Sequence, residues 1–231
     1  GGASPEHAEG RRDRGDPRRQ RLPRARREEG RRRGDRGGGG AAPGCIGSSS
    51  GGENFQGAMD DLRLYAEALS AEEIEGIYRS GTESLVRGNE DLDAGEPKMG
   101  SSSLAHWRFN EPGSVGTIHE ASGTPGLEIR ASSPVPRRRG VFGKALDLRG
   151  TYGLEANLGP RLGEVSKITF SAWTKPSDLS GYREIFRQEC GDRLLFSFQE
   201  GGSILSLGLN VGGYVECDAK IDASQVLDGG W

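Results

Sequence analysis

No lysine precedes Lys98 in this 231-residue chain, and no aromatic residue occurs in residues 1 to 42. No run of about 18 apolar residues occurs anywhere, which leaves no candidate for a membrane-spanning helix. No charged-then-apolar signal segment opens the chain either, and Gly1 and Trp231 read as cut ends. Cysteine is scarce. Cys45, Cys190 and Cys217 form no CxxC pair and no metal spacing. They read as free buried thiols that pack as small apolar residues, with a Cys190 to Cys217 cross-strand disulfide as the other reading.

What is present falls into two dissimilar pieces. Residues 1 to 40 hold 13 Arg against 7 Asp or Glu, a balance of +6. That leaves 18 of the 31 basic and 27 of the 34 acidic residues for the remainder, a balance of -9 behind the overall -3. Leu22 is the one aliphatic residue larger than alanine in the first 40. Residues 1–44 therefore have too little to bury to offset their ordering entropy and read as a disordered Arg/Gly-rich segment. Without aromatic residues for stacking, a nucleic-acid tail is not supported. Because Arg, Gly, Ala and Pro share GC-rich codons, GC-rich DNA translated out of frame stays open as the other origin of this segment. The hydrophobic fraction of 32% and mean hydropathy of -0.65 agree with a chain of which only part builds a core.

From Cys45 the pattern changes. Residues 55 to 65 alternate as a strand, with Met59, Asp61, Arg63 and Tyr65 opposite Asp60, Leu62 and Leu64. Ser70 and Glu73 form a capping box for a short helix near 71–79, on which Ile74, Ile77 and Tyr78 make an apolar stripe. Gly81 is positioned to stop that helix. Residues 82–103 read as a polar linker holding Glu90, Asp93 and Glu96. Those acids sit on no rigid strand, so a glycosidase pair is not drawn from them.

From Leu104 onward, short alternating segments recur about every ten residues between Gly and Pro turns, the signature of an antiparallel sandwich or barrel. They cover 104 to 109, 142 to 150, 167 to 175, 184 to 188, 193 to 199, 204 to 211 and 214 to 218, with an Arg-bearing loop over 134 to 140. The clearest is 167 to 175. Ile168, Phe170 and Ala172 lie opposite Thr169, Ser171 and Trp173, and Pro176, with no amide hydrogen, is expected to end the strand.

Taken in order, Ala105-His-Trp-Arg-Phe-Asn-Glu111, Ala121-Ser-Gly123, Phe142-Gly-Lys-Ala-Leu146, Ile168-Thr-Phe-Ser-Ala-Trp-Thr-Lys-Pro176 and Asp228-Gly-Gly-Trp231 resemble successive motifs of one family. It is the laminin-G-like jelly-roll family of the concanavalin-A-like lectin/glucanase superfamily, in its bacterial secreted branch. Met59-Asp-Asp-Leu-Arg-Leu-Tyr65 and Ala68-Leu-Ser-Ala-Glu-Glu-Ile74 are similar to the closing strand and helix of the same domain. The resemblance implies an incomplete all-β jelly roll divided as 45–81, the tail of one copy, and 104–231, the front of the next. Strand 57 to 65 is then expected to dock onto the second copy.

The resemblance further implies a noncatalytic recognition module, carbohydrate-binding, in a multidomain exported protein, extracellular or on the cell surface. A structural spacer or protein-interaction module is the alternative, and a glycoside hydrolase fragment a third. No catalytic or cofactor residue is assigned and no metal ligand set is fixed, with Asp60, Asp61, Asn110, Glu111 and Glu120 as the oxygen-rich candidates for calcium. Trp107 and Trp173 are candidate sugar-stacking rings, though a strand Trp in a sandwich more often packs the core or a face. His7, His106 and His119 have no Ser or Cys partner at a recognisable spacing. The frame question has a direct check: if residues 1–44 are out of frame, another frame of the DNA upstream of Cys45 encodes alternating family-like strands, and their absence rejects the idea.

Overall fold

The computed structural model describes residue 1 and residues 44–49, 52–88, 103–113, 116–121, 123–150, 152–158, 165–188, 194–210 and 213–231. Residues 1–35 and 36–231 cluster as separate units, and the fold below belongs to the second. Residues 2–43 of the segment expected to be disordered, most of the expected linker, and Cys190, Glu90, Asp93, Glu96 and His7 lie outside the described residues, whereas Gly44, read as the last residue of that segment, is in a strand.

Strands β1 (Gly44–Ile46) and β2 (Gln56–Tyr65) precede helix α1 (Ala71–Val86). Then follow β3 (Ser103–Trp107), β4 (Thr117–Ile118), β5 (Ile129–Arg130), β6 (Arg137–Arg139), β7 (Lys144–Leu148), β8 (Leu154–Ala156) and β9 (Thr169–Asp178). Strands β10 (Arg183–Gln188), β11 (Leu194–Gln199), β12 (Ile204–Asn210) and β13 (Tyr214–Lys220) lead to the single-turn helix α2 (Ala223–Val226).

Among the described residues these elements make an all-β antiparallel sandwich. One sheet has eight strands in the order β13-β12-β11-β10-β1-β8-β5-β4. The other has five: β2 pairs with β9 along one side and with β7 and then β3 along the other, and β6 pairs β7. The segment before residue 82 supplies a strand to each sheet. β1 joins β8 to β10, and β2 docks among the strands of the following segment, the placement that the family resemblance implied for strand 57 to 65.

Between the sheets lies one core, with Met59, Leu62, Leu64 and Trp107 from one layer and Ile46, Ile129, Phe186 and Phe198 from the other. Met59 shares that face with Leu62, against strict alternation. The register of β2 against β9 slips between Asp60 and Arg63, where Asp61 takes a left-handed φ of 53°. This bulge shifts the pleat by one residue, so Met59, Leu62 and Leu64 all point inward and Asp60 and Arg63 point away. On β9 the expected faces hold: Phe170 packs on Phe186 and Phe196, with centroids 5.2 and 6.0 Å apart, while Trp173 faces out.

Three boundaries differ from the sequence reading. β9 runs through Pro176 to Asp178, because Pro176 lies next to a bulge on an edge strand, opposite Gly57, whose φ of 139° no side chain would allow. The expected loop at 134 to 140 contains β6, paired to β7. Helix α1 continues to Val86, through what was read as the start of the linker, and its end is marked by Gly88 at φ 84°. Gly81 does not stop it. A Cβ there would lie 2.1 Å from the Trp173 ring, so glycine lets the helix lie against β9.

The capping box of Ser70 and Glu73 forms as read. Cys217, expected to be buried, is exposed with a free thiol, because β13 is an edge strand. These packing relations separate two glycines of one helix. Gly76→Ala, with nothing within 4 Å, should raise the unfolding free energy by about 1 kcal/mol. Gly81→Ala should lower it by about 1–3 kcal/mol through the Trp173 clash. Urea denaturation of both variants measures the opposite signs.

Candidate functional site

Strand β2 is buried on both faces, so the charges on its outward face are inside protein. Asp61 Oδ1 lies 2.5 Å from His106 Nε2, and its carboxylate meets Arg63 Nη2 at 2.8 and 3.0 Å. Register explains the meeting, since His106 on β3 is opposite Arg63. Burial alone would raise the Asp61 carboxyl, but the His106 hydrogen bond and the Arg63 charge hold it below its ordinary value. Asp60 points the other way round the bulge. Its Oδ2 accepts from the amides of Val141 and Phe142 at 2.7 and 2.9 Å. Burial drives this carboxyl well above the usual range, against those two amides and with the Asp61 charge adding to the rise.

The calcium candidates are not brought together. Asn110 Oδ1 accepts from the Lys144 amide at 2.7 Å, and Glu111 accepts from the His119 amide at 2.9 Å with Arg137 3.7 Å away. Glu120 accepts from the amides of His106 and Thr124 at 3.1 and 3.2 Å. These side-chain oxygens pin loops to strands. Among the described residues no group of three or more His, Cys, Asp or Glu is arranged to hold a metal ion.

Neither tryptophan offers a face for a sugar. Trp107 is buried in the core, where its indole N–H donates to the Leu127 carbonyl at 2.8 Å. Trp173 is 9% exposed, stacked against Tyr78 at 5.8 Å and close to Gly81.

A groove does open along the edge of β9. About 260 Å³ in volume, it is walled by Leu69, Ile74, Ile77 and Tyr78 on the helix side and by Thr169 to Trp173 on the strand side. The helical stripe read from the sequence is thus only partly covered: Ile74 is 52% and Tyr78 61% exposed. Sequence reasoning found the stripe and assumed its burial. A second recess, lined by Leu85, Arg138, Arg139, Gly140, Lys175 and Trp231, lies toward the other end of β9.

On the face of the eight-stranded sheet away from the core, Glu184, Ser197, Ser206 and Asp218 stand in one register row across β10 to β13. Ser206 donates to Asp218 at 2.7 Å, and Ser197 and Ser206 are buried. Arg187 reaches Glu184 at 2.8 Å and Glu53 at 3.1 Å. Burial raises the Glu184 carboxyl to about 7, opposed by Arg187 and reinforced by Glu53.

No family model, curated protein or solved structure matches this chain.

The Glu184 environment has a pH signature. A carboxyl raised in the fold stabilises it fully below the unfolded value of 4.5, and that contribution is lost as pH rises through about 7. Glu184→Gln should therefore match the parent in stability near pH 4 and exceed it by about 3 kcal/mol at pH 8. Denaturation curves across that range read the difference.

Proposed function

We propose that this chain is a noncatalytic β-sandwich recognition module and that the groove beside β9 is its binding site. The supporting observation is the groove itself, an apolar cleft with two large exposed side chains, Ile74 and Tyr78, on a helix whose opposite face is charged. Exposed apolar surface of this kind marks contact sites for other molecules. Among the described residues, the buried carboxyl groups of Asp60, Asp61, Glu120 and Glu184 are each engaged by backbone amides or by Arg and His, which favours binding over chemistry.

Of the two ligand classes expected, polypeptide suits the groove better than carbohydrate. Sugar binding joins aromatic stacking to a fan of hydrogen bonds with hydroxyl groups. Here aliphatic side chains dominate the walls, and the Trp173 ring is covered by Tyr78 and α1. Carbohydrate remains the second reading, carried by the exposed ring of Tyr78 alone. The setting in an exported, multidomain bacterial protein at the cell surface rests on the family resemblance.

Screening the immobilised chain against polysaccharides and against extended peptides separates the classes. Peptide binding weakened about tenfold or more by Tyr78→Ala is the expected result. Binding confined to glycans would transfer the site to the second reading.

A further inference from the structure

Where the chain enters β2, Glu53 and Asn54 are attached to β10. Asn54 bridges Glu184 in parallel, and the Glu184 amide donates to the Glu53 carbonyl at 3.0 Å. Glu53 holds a left-handed φ of 51°, which a residue with a side chain keeps only where its surroundings impose it. The attachment therefore depends on side chains. Two carboxyl groups supply it through one guanidinium nitrogen: Arg187 Nη1 donates to Glu184 Oε1 at 2.8 Å and to Glu53 Oε2 at 3.1 Å. The two are differently placed. The Glu184 side chain is 1% exposed and its Oε2 is buried without a hydrogen-bond partner, whereas the Glu53 side chain is 40% exposed.

Among the described residues no cation other than Arg187 contacts either carboxyl, and Arg183 on the same strand is bonded to Asp178. Across β11 to β13 the row beside Glu184 holds Ser197, Ser206 and Asp218, the last two bonded to each other. On the β1 side Cys45 stands opposite Arg187, and Glu155 of β8 stands opposite Cys45. With both carboxyls ionised, two negative charges would share one positive charge, and Glu184 Oε2 would be a buried charged oxygen with no donor. One proton removes the conflict, and burial places it on Glu184.

We propose that Glu184, Arg187 and Glu53 form a proton-controlled catch: a proton on Glu184 keeps Glu53 and Asn54 on β10, and its loss sends Glu53 out to solvent. Once released, Glu53 leaves the left-handed conformation and water reaches Glu184. In the attached form burial, opposed by Arg187 and reinforced by the Glu53 charge, keeps the Glu184 proton to about pH 7; wetted, the group titrates at its ordinary 4.5. Attachment is thus fully favoured below pH 4.5 and loses ground as pH rises through 7. Each pH unit between those values lowers the ratio of attached to released form about tenfold, so pH 5 to 7 spans about a hundredfold. At the base, the Phe55 amide donates to the Gly47 carbonyl at 2.9 Å and the Gly47 amide to the Ile185 carbonyl at 3.0 Å, so release stops short of the core.

Amide hydrogen exchange of the full chain, with rates corrected for their intrinsic pH dependence, reads the catch at the Glu184 amide. Its protection should fall about a hundredfold from pH 5 to pH 7, while the ladder amides shared by β11 and β12 stay better protected at both. Glu184→Gln should make protection at that position independent of pH. Glu53→Gln, which leaves Glu184 in place without the second charge, should shrink the fall. A Glu184 amide whose protection is unchanged between pH 5 and 7 would overturn the catch. So would protection equal to that of the β11 and β12 amides at both pH values, since release would then require unfolding of the sheet. A fall that persists in Glu184→Gln also counts against it, and if that variant does not fold, an undiminished fall in Glu53→Gln does so instead.

Discussion

Burial of β2 on both faces is the constraint from which the rest of the architecture follows. A strand in that position has to satisfy every polar side chain internally, yet β2 carries Asp60, Asp61 and Arg63 within four consecutive positions. The bulge at Asp61 resolves the conflict. It turns the two carboxylates apart, one to Arg63 and His106, the other to the amides of Val141 and Phe142. Removing one partner from such a cluster leaves an uncompensated buried charge, typically a loss of about 3–5 kcal/mol. The same carboxylates therefore fix β3 and the loop before β7 relative to β2, and so position the strands on the side of β2 away from β9.

From β2 the constraint passes to β9 and then to α1. Asp60 is opposite Trp173 in the ladder, and Trp173 shares a small outer cluster with Val141 and Phe142, whose amides Asp60 holds. Helix α1 lies on that cluster through Gly81, stacks Tyr78 on the indole, and donates from Ser84 to the Val141 carbonyl at 2.6 Å. The groove is the remainder of this contact: the C-terminal half of α1 is held down, while its first turns stand over the edge of β9. Function, on the reading proposed here, uses the part of the amphipathic stripe that the fold does not need.

How much of this was legible in the sequence depended on whether the signal was local. Alternation in 167 to 175 identified the faces of β9, and the Ser70 and Glu73 capping box identified the start of α1, because both are properties of neighbouring residues. The end of α1 was misread at Gly81 because a glycine that clears a tryptophan 92 positions away looks the same as one that caps a helix. Met59 was placed on the wrong face because nothing in Asp60-Asp61 states that a bulge will intervene. The residues read as calcium ligands, Asn110, Glu111 and Glu120, do offer oxygens, but their donors, the amides of Lys144, His119, His106 and Thr124, are identifiable only once loops have folded back onto strands. β6 was hidden in an arginine run whose pairing to β7 outweighs its weak strand propensity.

A groove suits recognition only if its walls are stiff, since a wall that must order on binding loses affinity to that ordering. β9 meets this condition through several independent attachments. Its inner face is set into the aromatic cluster of Phe186 and Phe196, and its outer face is stacked beneath Tyr78. Its first residue, Thr169, donates its hydroxyl to the Glu67 carbonyl at 2.7 Å and accepts from the Leu69 amide at 3.1 Å. At its far end Asp178 is held near pKa 2 by the Ser180 amide, Arg183 and the Ser180 hydroxyl, so that turn stays charged and bonded across the physiological range. Ordering entropy on binding then falls mainly on the incoming chain, and selectivity rests on how well its side chains match a groove already in place.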